Sequence, residues 1–99
     1  MVDDFPSNTR ALLARSRHSA ELKAFARWLG GQCYPPAVVH RHLLRLEQVL
    51  PRLADTAPSA GQLHAAFAAV GRGVPSRPLV FNATERVYAR YLLGAGRLH

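Results

Sequence analysis

An all-α bundle of four helices is the fold this sequence predicts, and three observations predict it. Apolar residues recur at helical spacing in four stretches, of which Val39, Leu43, Leu46, Leu50 and Leu53 form the cleanest heptad-like seam. Glycine and proline clusters at Gly30-Gly31, Tyr34-Pro35-Pro36 and 71–78 punctuate those stretches. No stretch shows sustained β alternation, and no internal repeat of useful length is present. A short N-terminal helix or basic arm is expected ahead of the bundle.

Each element has its own local reason. Residues 1–18 read as a flexible leader or short basic arm. Within them Met1–Thr9 is a loose start, and a short helix over Arg10–Arg15 is capped by Asn8 or Thr9. Residues 19–98 form the helical domain. Ser19 caps its first helix, whose apolar stripe is Leu22, Phe25, Trp28 and Leu29 and whose end is set by Gly30-Gly31, residues free to take positive φ. Pro36 suits a first helical position, and the next helix runs to about Leu53, with Pro51 expected to end or kink its last turn. Ser59 caps a helix over about Ala60–Val70 that turns Leu63, Ala66, Phe67 and Val70 inward. Gly71 to Pro78 is a loop by local rules. Asn82 or Thr84 caps the last helix, which ends at Gly94 or Gly96 with Val87, Tyr88, Tyr91 and Leu92 inside.

Composition narrows the function classes. The chain of 99 residues is 48% apolar, enough for one modest core and too much for wholesale disorder. It carries 13 Lys+Arg against 6 Asp+Glu, a net charge of +7 that favours a polyanionic partner. Cys33 stands alone, so no intrachain disulfide forms; it reads as a turn residue between helices. Asp3 and Asp4 stand where a signal peptide needs positive charge. No apolar run approaches the ~20 residues of a membrane span. The chain therefore reads as cytoplasmic, with no membrane partner.

The positive charge is patterned. Arg41, Arg45, Gln48 and Arg52 follow i, i+4, i+7, i+11 spacing and share one helix face. Arg86, Arg90 and Arg97 repeat the idea, with Leu93 between them. Lys23 and Arg27 extend the pattern on an earlier helix, and Arg72 and Arg77 sit in the glycine-proline loop. Backs of leucine and faces of arginine suit a small helical domain that grips a nucleic-acid backbone. The alternative is a helical protein–protein interaction module whose acidic partner uses the same basic face.

The order of the pieces resembles a known module. Phe25-Ala26-Arg27-Trp28-Leu29, then Gly30-Gly31-Gln32-Cys33-Tyr34-Pro35-Pro36, then the seam from Val38 through Leu43 and Leu46 to Val49-Leu50 is similar to the start of a tyrosine recombinase (phage integrase) core-binding domain. Ala57-Pro58-Ser59 with Leu63 and Phe67, and the run from Glu85 to Leu98, resemble that family's third and fourth helices. The resemblance covers about residues 20–98. It implies a four-helix, SAM-like domain that forms half of a clamp around double-stranded DNA. Strand cleavage would belong to a catalytic domain of the same parent chain, which would follow where this sequence stops, so a cut-out domain or truncated product is expected. Protomer contacts on DNA are also implied. Carried over by position, the resemblance nominates Arg41, Arg45, Arg52, Arg86 and Arg90 as DNA contacts. Most would hold phosphate, with Arg45 and Gln48 as base readers, since Arg pairs with guanine and Gln with adenine.

Other chemistries lack support. His42-Leu43-Leu44-Arg45 matches the family's H-x-x-R string but lies in the binding module, and Tyr88 and Tyr91 read as core aromatics, so no catalytic residue is assigned. His40 and His42 are two apart, which points them to different helix faces, and they read as polar-face residues. No metal, nucleotide cradle or cofactor is expected.

Overall fold

The computed structural model describes residues 5–53, 57–71 and 78–98, with backbone alone for 78–80. The described residues contain five α-helices and one 3-10 turn, joined by turns and irregular segments, and among them there is no strand. The helices are α1 (Ser7–Arg15), α2 (Ser19–Gly31), α3 (Pro36–Val49), α4 (Ala60–Gly71) and α5 (Pro78–Gly94). The chain divides into two compact units, Met1–Glu47 and Gln48–His99.

The first unit is built on α1, α2 and most of α3. α1 starts at Ser7, three residues before the expected Arg10, because Pro6 supplies the N-cap and its carbonyl accepts from the Arg10 amide at 3.0 Å. Part of the expected leader is therefore an ordered helix that packs on α2 and buries Thr9, Leu12 and Leu13. α1 ends at Ser16, which turns extended and accepts the His18 amide at 3.1 Å on its Oγ. Ser19 is the first residue of α2 and not its cap, which is His18. Leu22, Phe25, Ala26 and Leu29 are fully buried, whereas Trp28 is half-buried and stacks on Phe25 with ring centroids 6.1 Å apart.

The end of α2 departs from expectation. Gly30 and Gly31 remain helical, and the left-handed residue is Cys33, at φ 67°. Tyr34 N–H donates to the Leu29 carbonyl at 3.2 Å and Cys33 N–H to the Gly30 carbonyl at 3.1 Å, a Schellman closure. α5 closes the same way: Arg97 N–H donates to the Leu92 carbonyl at 2.8 Å, but there glycine, Gly96 at φ 71°, holds the left-handed position. A side-chain-bearing residue in that region costs about 1–2 kcal/mol, partly offset by the greater unfolded-state freedom of glycine. Cys33→Gly is therefore expected to stabilise the protein by about 0.5–1 kcal/mol and raise Tm by about 4 °C. Cys33→Ala, which keeps a Cβ, should leave Tm nearly unchanged. Thermal unfolding of the two variants side by side checks the assignment, and an unchanged Tm for the glycine variant contradicts it.

α3 begins at Pro36, as the missing amide of a first-turn proline allows, with the Pro35 carbonyl accepting from Val38 and Val39 at 3.0 Å. It buries Val39, His42, Leu43, Leu46 and Val49. It does not reach Leu53. Pro51 has no amide to donate into the helix, so the chain tightens into a 3-10 turn over Leu50–Arg52 and leaves it with Leu53 extended and half-buried.

The second unit pairs α4 with α5. Ser59 and Gln62 form a reciprocal capping box: the Gln62 amide donates to Ser59 Oγ at 3.1 Å and the Ser59 amide to Gln62 Oε1 at 2.9 Å. α4 buries Leu63, Ala66 and Phe67, with Val70 half-buried. α5 begins at Pro78, ahead of both expected caps, since proline at a first helical position continues what local rules read as loop. Asn82 and Thr84 are thus interior to the helix. Its buried line is Phe81, Thr84, Tyr88 and Leu92, whereas Val87 and Tyr91 are half-buried. His64 of α4 and Glu85 of α5 meet at 3.0 Å.

Candidate nucleic-acid interface

The basic side chains take their positions from the buried lines of their own helices. In the first unit, the apolar face of α3 fixes what faces away from it. At 3.6 residues per turn, Arg41 and Arg45 lie one turn apart on the side opposite Leu43 and Leu46. Arg41 is exposed and Arg45 half-buried. On α2, Arg27 is exposed and Lys23 half-buried, one turn apart and away from Leu22, Phe25 and Leu29.

In the second unit Gln48, at the end of α3, is exposed. Arg52 is exposed as well, but the 3-10 turn takes it out of the α-helical register that the i+11 spacing assumed. It borders instead a groove of about 370 Å³ with Leu53, Pro58, Gln62 and the alanines Ala65, Ala66 and Ala69. On α5, Arg86 and Arg90 are both exposed, one turn apart and opposite the Phe81–Thr84–Tyr88–Leu92 line. Arg97 lies beyond the helix end, half-buried, its guanidinium 5.9 Å from the Tyr91 ring centroid. Arg72 and Arg77 lie outside the described residues. The structure thus retains the basic pairs within single helices and breaks the longest stripe at Pro51.

The two histidines of α3 are not free polar-face residues. His40 is half-buried and hydrogen-bonded through Nδ1 to Thr9 Oγ1 at 3.0 Å, tying α3 to α1. His42 is 5% exposed, edge-on to Tyr34 with centroids 5.9 Å apart. It lies on the line of Val39, Leu46 and Val49, so the apolar face is wider than the leucine seam alone suggested. Burial holds the His42 imidazole below its ordinary pKa, and the Arg45 guanidinium one turn away lowers it further. The fold therefore favours neutral His42. Its contribution to stability is complete above the ordinary value of 6.5 and declines as pH falls from there through the lowered native value. Tm at pH 5 is expected to lie below Tm at pH 7.5, and His42→Leu should flatten that difference. An equal pH dependence in the variant would place the titration elsewhere.

Sequence reasoning assigned no binding role to two residues on the α5 face. Asn82 reads as a cap, yet is an exposed helical residue. Leu93 is 66% exposed, and among the described residues it is the large apolar side chain left in solvent. Among the described residues no group of three His, Cys, Asp or Glu is placed to hold a metal ion, and no helix is long and apolar enough to cross a membrane. No protein-family model, curated protein or solved structure matches the chain.

Proposed function

We propose that this chain is a duplex-DNA-binding module of the tyrosine recombinase core-binding kind, a SAM-like helical domain that holds DNA for strand exchange. One observation carries the reading: Arg86 and Arg90 on α5 are both exposed, one turn apart, and opposite their helix's buried line. Arg41, exposed, and Arg45, half-buried, are likewise one turn apart on α3, and the net charge of +7 favours a polyanionic partner. Arg41, Arg52, Arg86 and Arg90 are assigned to phosphate, Lys23 and Arg27 on α2 are further phosphate candidates, Arg72 and Arg77 are candidates by charge alone, and Arg45 and Gln48 on α3 are assigned to bases. Most of this binding is electrostatic, so its signature is salt dependence.

The test is titration of the 99-residue chain onto a labelled duplex, read by fluorescence anisotropy from 50 to 400 mM salt. The logarithm of the affinity is expected to fall linearly with the logarithm of salt, with a slope of about −0.9 for each phosphate neutralised. Absence of binding at the lowest salt removes the DNA reading and leaves the protein-partner alternative.

A further inference from the structure

Along α5 the exposed face holds more than cations. At 3.6 residues per turn, Asn82 and Leu93 fall within about 20° of each other around the helix axis, and Arg86 and Arg90 lie about 40° and 80° to one side. Asn82, Arg86, Arg90 and Leu93 are all exposed. Ala89 lies on the same line between Asn82 and Leu93, and a methyl there leaves room for the helix backbone to approach a partner closely. Glu85, the acidic residue on the flank, is engaged by His64 at 3.0 Å.

The chemistry of the four groups is specific. A carboxamide offers a donor and an acceptor that match adenine N6 and N7 in the major groove, and an apolar side chain matches the C5-methyl of thymine. Two guanidinium groups beside them match the phosphates of the groove wall. Eleven residues of helix separate Asn82 from Leu93 by about 16 Å, which is about five base pairs at 3.4 Å each. That is the reach of one helix seated in a major groove. Arg86 and Arg90 alone would make α5 a phosphate clamp without preference. Asn82 and Leu93 give it an edge that distinguishes A·T from G·C.

We propose that α5 is a base-reading helix whose Asn82 contacts adenine and whose Leu93 contacts the methyl group of thymine, selecting A·T pairs in the major groove while Arg86 and Arg90 hold the backbone. This inference rests on the DNA-binding reading above and names the substrate it prefers.

Three duplexes of equal length test it: alternating A–T, the same with deoxyuridine in place of thymidine, and alternating G–C. The full chain should bind the A–T duplex about fourfold more tightly than its deoxyuridine counterpart, the worth of one buried methyl group. It should bind the A–T duplex about forty-fold more tightly than G–C, the tenfold worth of a weak bidentate base contact multiplied by the fourfold methyl effect. L93A should abolish the first preference and N82A should reduce the second to about the fourfold methyl effect, each with an unchanged salt slope and an unchanged helical circular dichroism spectrum. Equal affinity for the thymidine and deoxyuridine duplexes, a thymidine preference that survives L93A, or an undiminished A–T over G–C preference in N82A overturns the inference and leaves phosphate binding intact. Failure to bind any of the three duplexes at 50 mM salt overturns both readings together.

Discussion

Replacing Leu43 with alanine is expected to cost about 2–5 kcal/mol of stability. Leu43 has no exposed surface in α3 and sits midway along a buried line with Val39, Leu46 and Val49. Truncation removes the transfer energy of its methyl and methylene groups and leaves a void that fixed helices fill only in part. A chain of this length has a total stability of about 5–15 kcal/mol, so the variant loses a large share of it. Denaturant unfolding, read as a midpoint shift at constant slope, measures the loss. Leu93→Ala supplies the contrast: with Leu93 in solvent, its stability effect should stay within about 0.5 kcal/mol. Equal effects at the two leucines would mean that α3 turns a different face inward.

The second large effect is on DNA affinity. Replacing Arg86 and Arg90 together by alanine should reduce the salt slope by about 1.8, from two phosphates at 0.9 each. At 0.1 M salt the same slope change corresponds to about sixty-fold weaker binding. Both side chains are exposed and opposite the buried line of α5, so the variant should fold as the parent does. The parallel substitution of Arg41 and Arg45 should lower the slope by about 0.9, since of the two only Arg41 is assigned to phosphate. It carries one further consequence, because Arg45 is half-buried beside His42 and lowers its pKa. Loss of that charge should soften the acid destabilisation as well as weaken DNA binding. A double variant of α5 that is folded and retains the parent's slope would remove those arginines from the interface.

The legible part of the fold is the part that local periodicity encodes. The buried faces of α2, α3 and α4 follow the apolar spacing of the chain almost residue for residue, and Ser59 and Pro36 occupy the helix starts that their chemistry predicts. Pro51 ends α3 for the reason visible in its own ring. The pairing of basic residues one turn apart was equally legible, since it depends on helix geometry alone.

What the tertiary structure decided are the choices where two local rules compete. Gly30 and Gly31 could each have taken the left-handed position, yet the Schellman hydrogen bonds put Cys33 there. His42 has the polarity of a surface residue, but its place on the inward line of α3 buries it beside Tyr34 and lowers its pKa. Pro78 reads as loop by composition and as a helix start by geometry, and it opens α5, the helix that buries Phe81, Thr84 and Tyr88 and pairs with α4. A sequence by itself determines which faces can be buried, because spacing along a helix is fixed by the backbone. Which ambiguous residues are buried, and where each helix begins and stops, is settled by the free energy of packing, a sum over neighbours distant in the chain.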